Sequence, residues 1–544
     1  MPMRARNWLT PAAWVAAVAA LLLLLFPLGF PNYDTIYSLL WGRELADGLS
    51  PDRGAALPPT PHPLAELFGL VASPLGNGAV SLTMVVAYLS LGLVGYLVYR
   101  LGALWFDRPI GAVAALIVLT RAPFLSNGLR AYIDLPYIVL VLAALAIETK
   151  RPRAGWPVLL LLALAGLLRP EAWLFSFAYL GYLALDFRQL RLQWLRRRHG
   201  PEKAPEAPLH SAGETDRPNE REAGVPLERA DTQKRGLIRP RFVRTRGTPA
   251  SPTLLVMLAV AAPVLWAIFD WITAGSPLYS FTGTRETVET LARDTGPVDL
   301  VLYGPRRLGE VLQWPGMVAA LGGVAAAVAI VRSRRSQLFP GYDPDKAAIG
   351  LVAAALALGA FAILACAGLA IIPRYTMLAA AILAVFAALG LLGWRLLAPG
   401  DLWRRPWQGF AAVVALMFVI WAPNQYDLLH RVDTDLTNQS GIESDLGDLA
   451  DSGAFEPPCL PVSVPNHRAV PRLAFDLDLR PSRILSSAGQ RQPRRGYFLD
   501  PAGPFVVRNF ILDPNDPARL ATPVPPGFHQ VARNESWLLY RRCR

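Results

Sequence analysis

Cysteine is nearly absent: the chain has three in 544 residues, with only six scattered histidines. There is no Cys-x-x-Cys pair and no His-Glu-x-x-His segment, which excludes the zinc sites built on those spacings. There is no Gly-x-x-x-x-Gly-Lys loop and no strand-preceded Gly-x-Gly-x-x-Gly, which argues against a nucleotide-fuelled pump. Charge is scarce too. Charged residues make up 17% of the chain and hydrophobic residues 53%, a balance that excludes a soluble multidomain protein of this length.

The abundant feature is the apolar run. Runs fall near 11–30, 79–99, 109–124, 133–148, 156–168, 171–186, 253–272, 314–331, 347–370, 373–397 and 408–423, about eleven in all against a requirement of ~20 residues per full span. The first has a basic start (Arg4, Arg6) and a leucine core. Gly29-Phe-Pro-Asn-Tyr follows it in place of a small-residue cleavage site, so it reads as a retained helix. Every second loop is basic: Arg100 and Arg108, Lys150 to Arg153, Arg188 to Arg246, Arg332 to Arg335, and Arg395 to Arg405. That alternation expects a cytoplasmic N-terminus and an extracytoplasmic C-terminus. The net charge of +12 is thus a topology signal; it is spread over loops that face a bilayer, not gathered for nucleic acid.

Three regions follow: a membrane domain over 1–423, a Pro/Glu/Arg/Gly-rich cytoplasmic loop over about 187–250 expected to be disordered, and a polar segment, 424–544. The last reads as a small extracytoplasmic α+β domain. Its strand-like runs are Leu460–Val464, Phe505–Val507 and Trp537–Tyr540, and a helix is expected over Val470–Asp476. Cys459 and Cys543 lie in it and can form a disulfide, although spacing alone fixes no geometry. The fold expected is an all-α polytopic membrane protein with this appendage.

Polar residues interrupt the apolar runs mainly on the outer face. After the first run come Asp34-Thr-Ile-Tyr37, Arg43-Glu44-Leu45 and His62-Pro63-Leu64. Asp34 and Tyr37 share a helix face at this spacing, and Asp34 reads either as a functional acid or as the helix cap. His62 is equally readable as a plain loop histidine. Arg130 and Asp134, spaced i, i+4, are a local ion pair or two site charges at the membrane edge. Arg169-Pro-Glu171 marks either a charged hairpin turn or a functional helix break. Arg374-Tyr375 opens a span; a guanidinium there suits a phosphate or simply snorkels. Segment 273–285, rich in Gly, Ser and aromatics, reads as a turn or as a sugar-pocket wall.

Together these motifs resemble, over about residues 8–400, the GT-C class of membrane glycosyltransferases, which includes protein O-mannosyltransferases and lipid A aminoarabinose transferases. Asp-x-x-Tyr…Arg-Glu-Leu…His-Pro-Leu is similar to their first outer loop, Arg-x-Tyr-x-Asp-Leu-Pro to their second, and Leu-Arg-Pro-Glu and Pro-Arg-Tyr to later motifs of bacterial members. The resemblance implies a bacterial cytoplasmic-membrane enzyme without a cofactor. It would transfer a sugar from a polyprenyl-phosphate donor to a hydroxyl on a glycan, lipid or protein. It makes Asp34 the general base and Asp134 a second acid. Arg374, Arg130 and then Arg169 become candidates for the leaving phosphate, with Tyr37, His62, Glu171 and Tyr375 around the substrate. Many members carry an acid directly after the base; here Thr35 stands, which weakens the case for a divalent metal. A transporter or flippase, and a polysaccharide polymerase or ligase, are the alternatives.

Overall fold

The computed structural model describes residues 6–198, 251–332, 343–456, 459–486, 493–510 and 523–543. Of the loop expected to be disordered over about 187–250, residues 187–198 are helical, continuing the helix that starts at Glu171, and 199–250 lie outside the described residues. Residues 1–180 with 250–544 form one compact unit, and 181–249 a second.

In chain order the helices are α1 (Arg6–Leu25), α2 (Tyr33–Ala46), α3 (Pro63–Ala72), α4 (Gly78–Trp105), α5 (Arg108–Leu119), α6 (Ala122–Leu129), α7 (Asp134–Lys150), α8 (Trp156–Gly166) and α9 (Glu171–Arg198). There follow α10 (Pro252–Ala274), α11 (Tyr279–Thr290), α12 (Gly296–Arg332), α13 (Pro344–Cys366), α14 (Met377–Leu392) and α15 (Arg404–Asp451). The short helices α16 (Val470–Asp476) and α17 (Pro504–Phe510) accompany a sheet of β1 (Val462–Val464), β2 (Ile484–Ser486), β3 (Gly496–Pro501), β4 (His529–Arg533) and β5 (Trp537–Arg542).

Each apolar run is mainly helical, although the run at 109–124 breaks between α5 and α6. Among the described residues six helical segments are long and apolar enough to cross a membrane, fewer than the eleven runs expected because several runs form shorter helices: α4, α10, α12, α13, Pro373–Leu396 around α14, and α15. The pair α5 and α6, bent by 62° at its break, makes a seventh if it is one span. This is a polytopic membrane protein with a small C-terminal sheet.

Small residues let the helices meet at backbone distance, the ordinary device where lipid removes the hydrophobic drive between helices. A Cβ on Gly323 of α12 would lie 1.7 Å from the Phe386 carbonyl oxygen, and one on Gly390 of α14 would lie 2.2 Å from that of Ala319. The Ala-rich α14 is consequently buried on every side. The same device crosses α2 over α3, where a Cβ on Gly42 would lie 2.3 Å from the Gly69 backbone.

At 48 residues α15 is about 72 Å long, more than twice the hydrocarbon thickness of ~30 Å. It carries the chain unbroken across residue 424, where the composition changes, and hands it to the sheet near Val462. Strand order is β2-β1-β3-β5-β4, parallel between β1 and both neighbours and antiparallel elsewhere. A disulfide joins Cys459, before β1, to Cys543, after β5.

Two local expectations change. Phe505–Val507 is helical (α17), because Pro504 occupies the first helical position, where its fixed φ suits a helix. Within segment 273–285 the turn is confined to the residues before Tyr279, where α11 begins, and the start of that helix is held by Asp270, which accepts from the Ser280 amide at 2.9 Å and hydroxyl at 2.8 Å.

Candidate functional site

Asp34 is not the cap of its helix. Asn32 is: its Oδ1 accepts from the amides of Asp34 (2.8 Å) and Thr35 (3.3 Å). The Asn32 side-chain amide in turn donates to the Arg130 carbonyl at 2.9 Å. Thr35 is turned inward and donates to the Ala131 carbonyl at 2.8 Å, a bond no carboxylate at position 35 could donate. The turn between α6 and α7 therefore fixes the start of α2. The Asp34 carboxylate is left free, in the first helical turn, where the helix dipole favours a negative charge.

That carboxylate meets Arg374. Arg374 Nη1 lies 3.1 Å from Asp34 Oδ2, with the two side chains 26% and 23% exposed. The guanidinium lies 5.5 Å from each of the Tyr132 and Tyr375 ring centres. Its Nε is buried with no hydrogen-bond partner among the described residues.

Tyr375 also takes Arg169, whose guanidinium lies 4.4 Å from the ring centre. Arg169 is buried and fully engaged. It donates to Glu171 Oε1 from Nε (3.0 Å) and Nη2 (2.6 Å), and to Asp134 from Nη1. Asp134 Oδ2 and Glu171 Oε2 are buried without a partner among the described residues. A line of alternating charge thus runs Asp34, Arg374, Tyr375, Arg169, then Asp134 and Glu171. All three acids sit in the first turn of a helix: α2, α7 and α9.

His62 joins this line from the loop before α3. Its ring packs edge-on to Trp266 at 5.7 Å, and Nδ1 is buried without a partner among the described residues. Burial, aided by the Arg169 and Arg374 cations and opposed by Asp34, lowers its pKa from 6.5 to about 3, so the ring is neutral. Below pH 6.5 the unfolded imidazole takes up a proton that the folded one refuses, so stability is lost as pH falls toward 3. The thermal midpoint of the wild type is therefore expected to fall more steeply than that of His62→Gln over this window; parallel curves would contradict the burial of a neutral ring. The loop bearing His62 is itself tied down. Arg53 donates to both oxygens of the buried Glu66 (3.1 and 3.2 Å) and lies 4.3 Å over the Trp41 ring.

Two candidate residues stand elsewhere. Arg130 turns toward α15, where its Nε donates to Gln439 at 2.8 Å. Tyr37 is fully buried against Tyr33 and Trp41, both at 5.0 Å, in a core shared with the C-terminal sheet. Asn32 and Tyr132 were not among the candidates. The Asn-x-Asp spacing ahead of an apolar helix was the available signal for Asn32. Among the described residues no three His, Cys, Asp or Glu side chains are grouped to hold a metal ion.

No protein-family model matches the chain, and no curated protein does. Solved structures do. ArnT from Cupriavidus metallidurans bound to undecaprenyl phosphate is similar at a TM-score of 0.51, with 14% identity and 98% of each chain covered. The same protein in the apo state gives 0.47, with 14% identity and 99% and 98% covered. The archaeal oligosaccharyltransferase AglB from Archaeoglobus fulgidus, in complex with an inhibitory peptide and a dolichol-phosphate, gives 0.45 at 10% identity, covering 88% of this chain and 65% of its own. The apolar spans make this a polytopic membrane protein, and the likeness to the undecaprenyl-phosphate-bound structure gives it the GT-C fold.

Proposed function

We propose that this protein transfers a hexosyl or pentosyl group from a polyprenyl-phosphate carrier to an acceptor hydroxyl, with Asp34 as general base. One observation carries the reading. On a GT-C fold, a carboxylate relieved of capping faces a guanidinium whose buried Nε–H has no partner among the described residues. The pair offers the two functions the reaction needs, an acceptor for a proton and a donor set for a phosphate. The likeness to a structure that holds undecaprenyl phosphate supports a lipid phosphate as the leaving group.

In this reading the donor phosphate draws Arg374 away from Asp34, and the freed carboxylate takes the acceptor proton. The acceptor oxygen forms its bond to the anomeric carbon as the bond from that carbon to the phosphate oxygen breaks. The electron pair leaves on the phosphate, where Arg374 stabilises the added charge. A single displacement inverts the anomeric centre and needs no covalent intermediate. Arg169 is spent on Asp134 and Glu171, so its role is to hold Tyr375 against Arg374. Asp134 then supports the site through Arg169.

The loop charges support an extracytoplasmic site with the N-terminus in the cytoplasm. Clustering of the charges at helix starts, not in mid-span, favours a transferase over a transporter. The experiment is transfer by purified protein from a radiolabelled short-chain polyprenyl-phosphate sugar, repeated in sealed right-side-out vesicles. Transfer without permeabilisation is expected. A folded protein that moves no sugar from any such donor would overturn the function, and transfer only after permeabilisation would overturn the orientation.

A further inference from the structure

We propose that the C-terminal domain is a positioning module for Asp34, locked to α2 by Arg43 and Arg480. Its catalytic consequence rests on the function proposed above. Although α2 also crosses α3, its apolar side is shared with the C-terminal segment. Tyr37, Leu40 and Trp41 lie in one core with Val470, Leu473 and Trp537, to which α3 and α4 add only Ala72 and Ala79 among the buried residues, whereas most of the buried membrane-helix residues form a separate core.

Polar contacts close the joint in both directions. Arg43 reaches from α2 to the end of α16, donating to the carbonyls of Phe475 (3.3 Å) and Ala474 (3.4 Å) and pairing with Asp478 at 3.2 Å. A cation at a helix C-terminus also suits the dipole there. Arg480 reaches back: its Nε lies 3.3 Å from Glu44 and 3.7 Å from Asp52, and its Nη2 donates to the Ser50 carbonyl at 3.0 Å. Asp52 also accepts from the Ser482 amide at 2.9 Å, and its own amide donates to Glu44 at 2.6 Å.

Both carboxylates are buried, at 8% and 9% side-chain exposure. Without Arg480 they would face each other with no other ion-pair partner among the described residues, and repulsion would open the joint. From Arg43 to Asp34 is nine residues along one helix, about 14 Å at 1.5 Å per residue. A stiff helix passes a tilt at one end to the other. A shift of ~1 Å at a reacting group is enough to cost up to a hundredfold in rate.

The test compares wild type, Arg480→Ala, Arg43→Ala/Arg480→Ala and Arg480→Lys in the full-length protein, by amide hydrogen exchange and by transfer kinetics. Arg480→Ala is expected to speed exchange across residues 33–46 several-fold and leave the other helices unchanged. It should lower kcat about tenfold with donor KM within about twofold, and the double variant should go further. Arg480→Lys should recover much of both. If Arg480→Ala does not fold, Arg43→Ala alone, which cuts the contacts to α16 and strands only the exposed Asp478, is read the same way. Unchanged exchange in α2, or faster exchange with unchanged kcat, overturns the proposal. A wild type without transfer would sink the function reading alone, and exchange would still decide the lock.

Discussion

Asp34→Asn is expected to abolish sugar transfer, lowering kcat by about a thousandfold, within the 10²–10⁴ that a positioned general base contributes. The variant should still fold. Asn32 keeps the cap, and asparagine fits the same space in the first turn of α2. The ion pair with Arg374 is about a quarter exposed, and pairs of that kind are worth at most about 1 kcal/mol. Donor binding gives the sharper signature. With the carboxylate gone, Arg374 no longer has to leave a partner to meet the phosphate, so donor affinity is expected to hold or improve while kcat collapses. A mutation that only loosened the site would weaken both. Full transfer by folded Asp34→Asn would remove the base from the mechanism.

Arg169→Ala is expected to act on stability first. The substitution leaves Asp134 and Glu171 buried with no cation between them, at 2% and 5% side-chain exposure. Breaking a buried pair from one side costs about 3–5 kcal/mol, because the remaining charge is neither solvated nor neutralised. Denaturation in detergent should show a loss of that size, and transfer should fail with it as Tyr375 loses its support. Replacing Arg169, Asp134 and Glu171 together with leucine separates the two effects: much of the stability should return, without activity. A single Arg169→Ala variant as stable as wild type would mean that the charge line does not organise this part of the fold.

The membrane helices were legible because a bilayer demands long apolar runs and these have few competing explanations. The end of α2 at Asp47-Gly48 was legible, though its start at Asn32 was not, and Val470–Asp476 forms a helix over the residues expected. The pairing of charges was not legible. Arg130 and Asp134 suggest a local i, i+4 pair only if one helix runs through both. The chain instead turns at Ala131, with φ at 51°, so that Arg130 closes α6 and Asp134 opens α7. Asp134 then finds Arg169, 35 residues on, which no spacing rule could reach. Tyr37 shares its helix with Asp34, yet it is drawn into the C-terminal core by residues more than four hundred positions away. Asp34 reads from the sequence as a functional acid or as a cap, and Asn32, which holds both amides, excludes the cap. A three-residue run such as Phe505–Val507 was too short for β-propensity to outweigh the proline before it.

The configuration of the product tests the central claim most directly. A donor of one defined anomer is incubated with the purified protein and acceptor, and the anomeric proton of the product is read by NMR before any equilibration. Direct displacement with Asp34 as base predicts the opposite anomer and no sugar bound to protein at any time. Retention of configuration, or a glycosyl group trapped on Asp34, would contradict it.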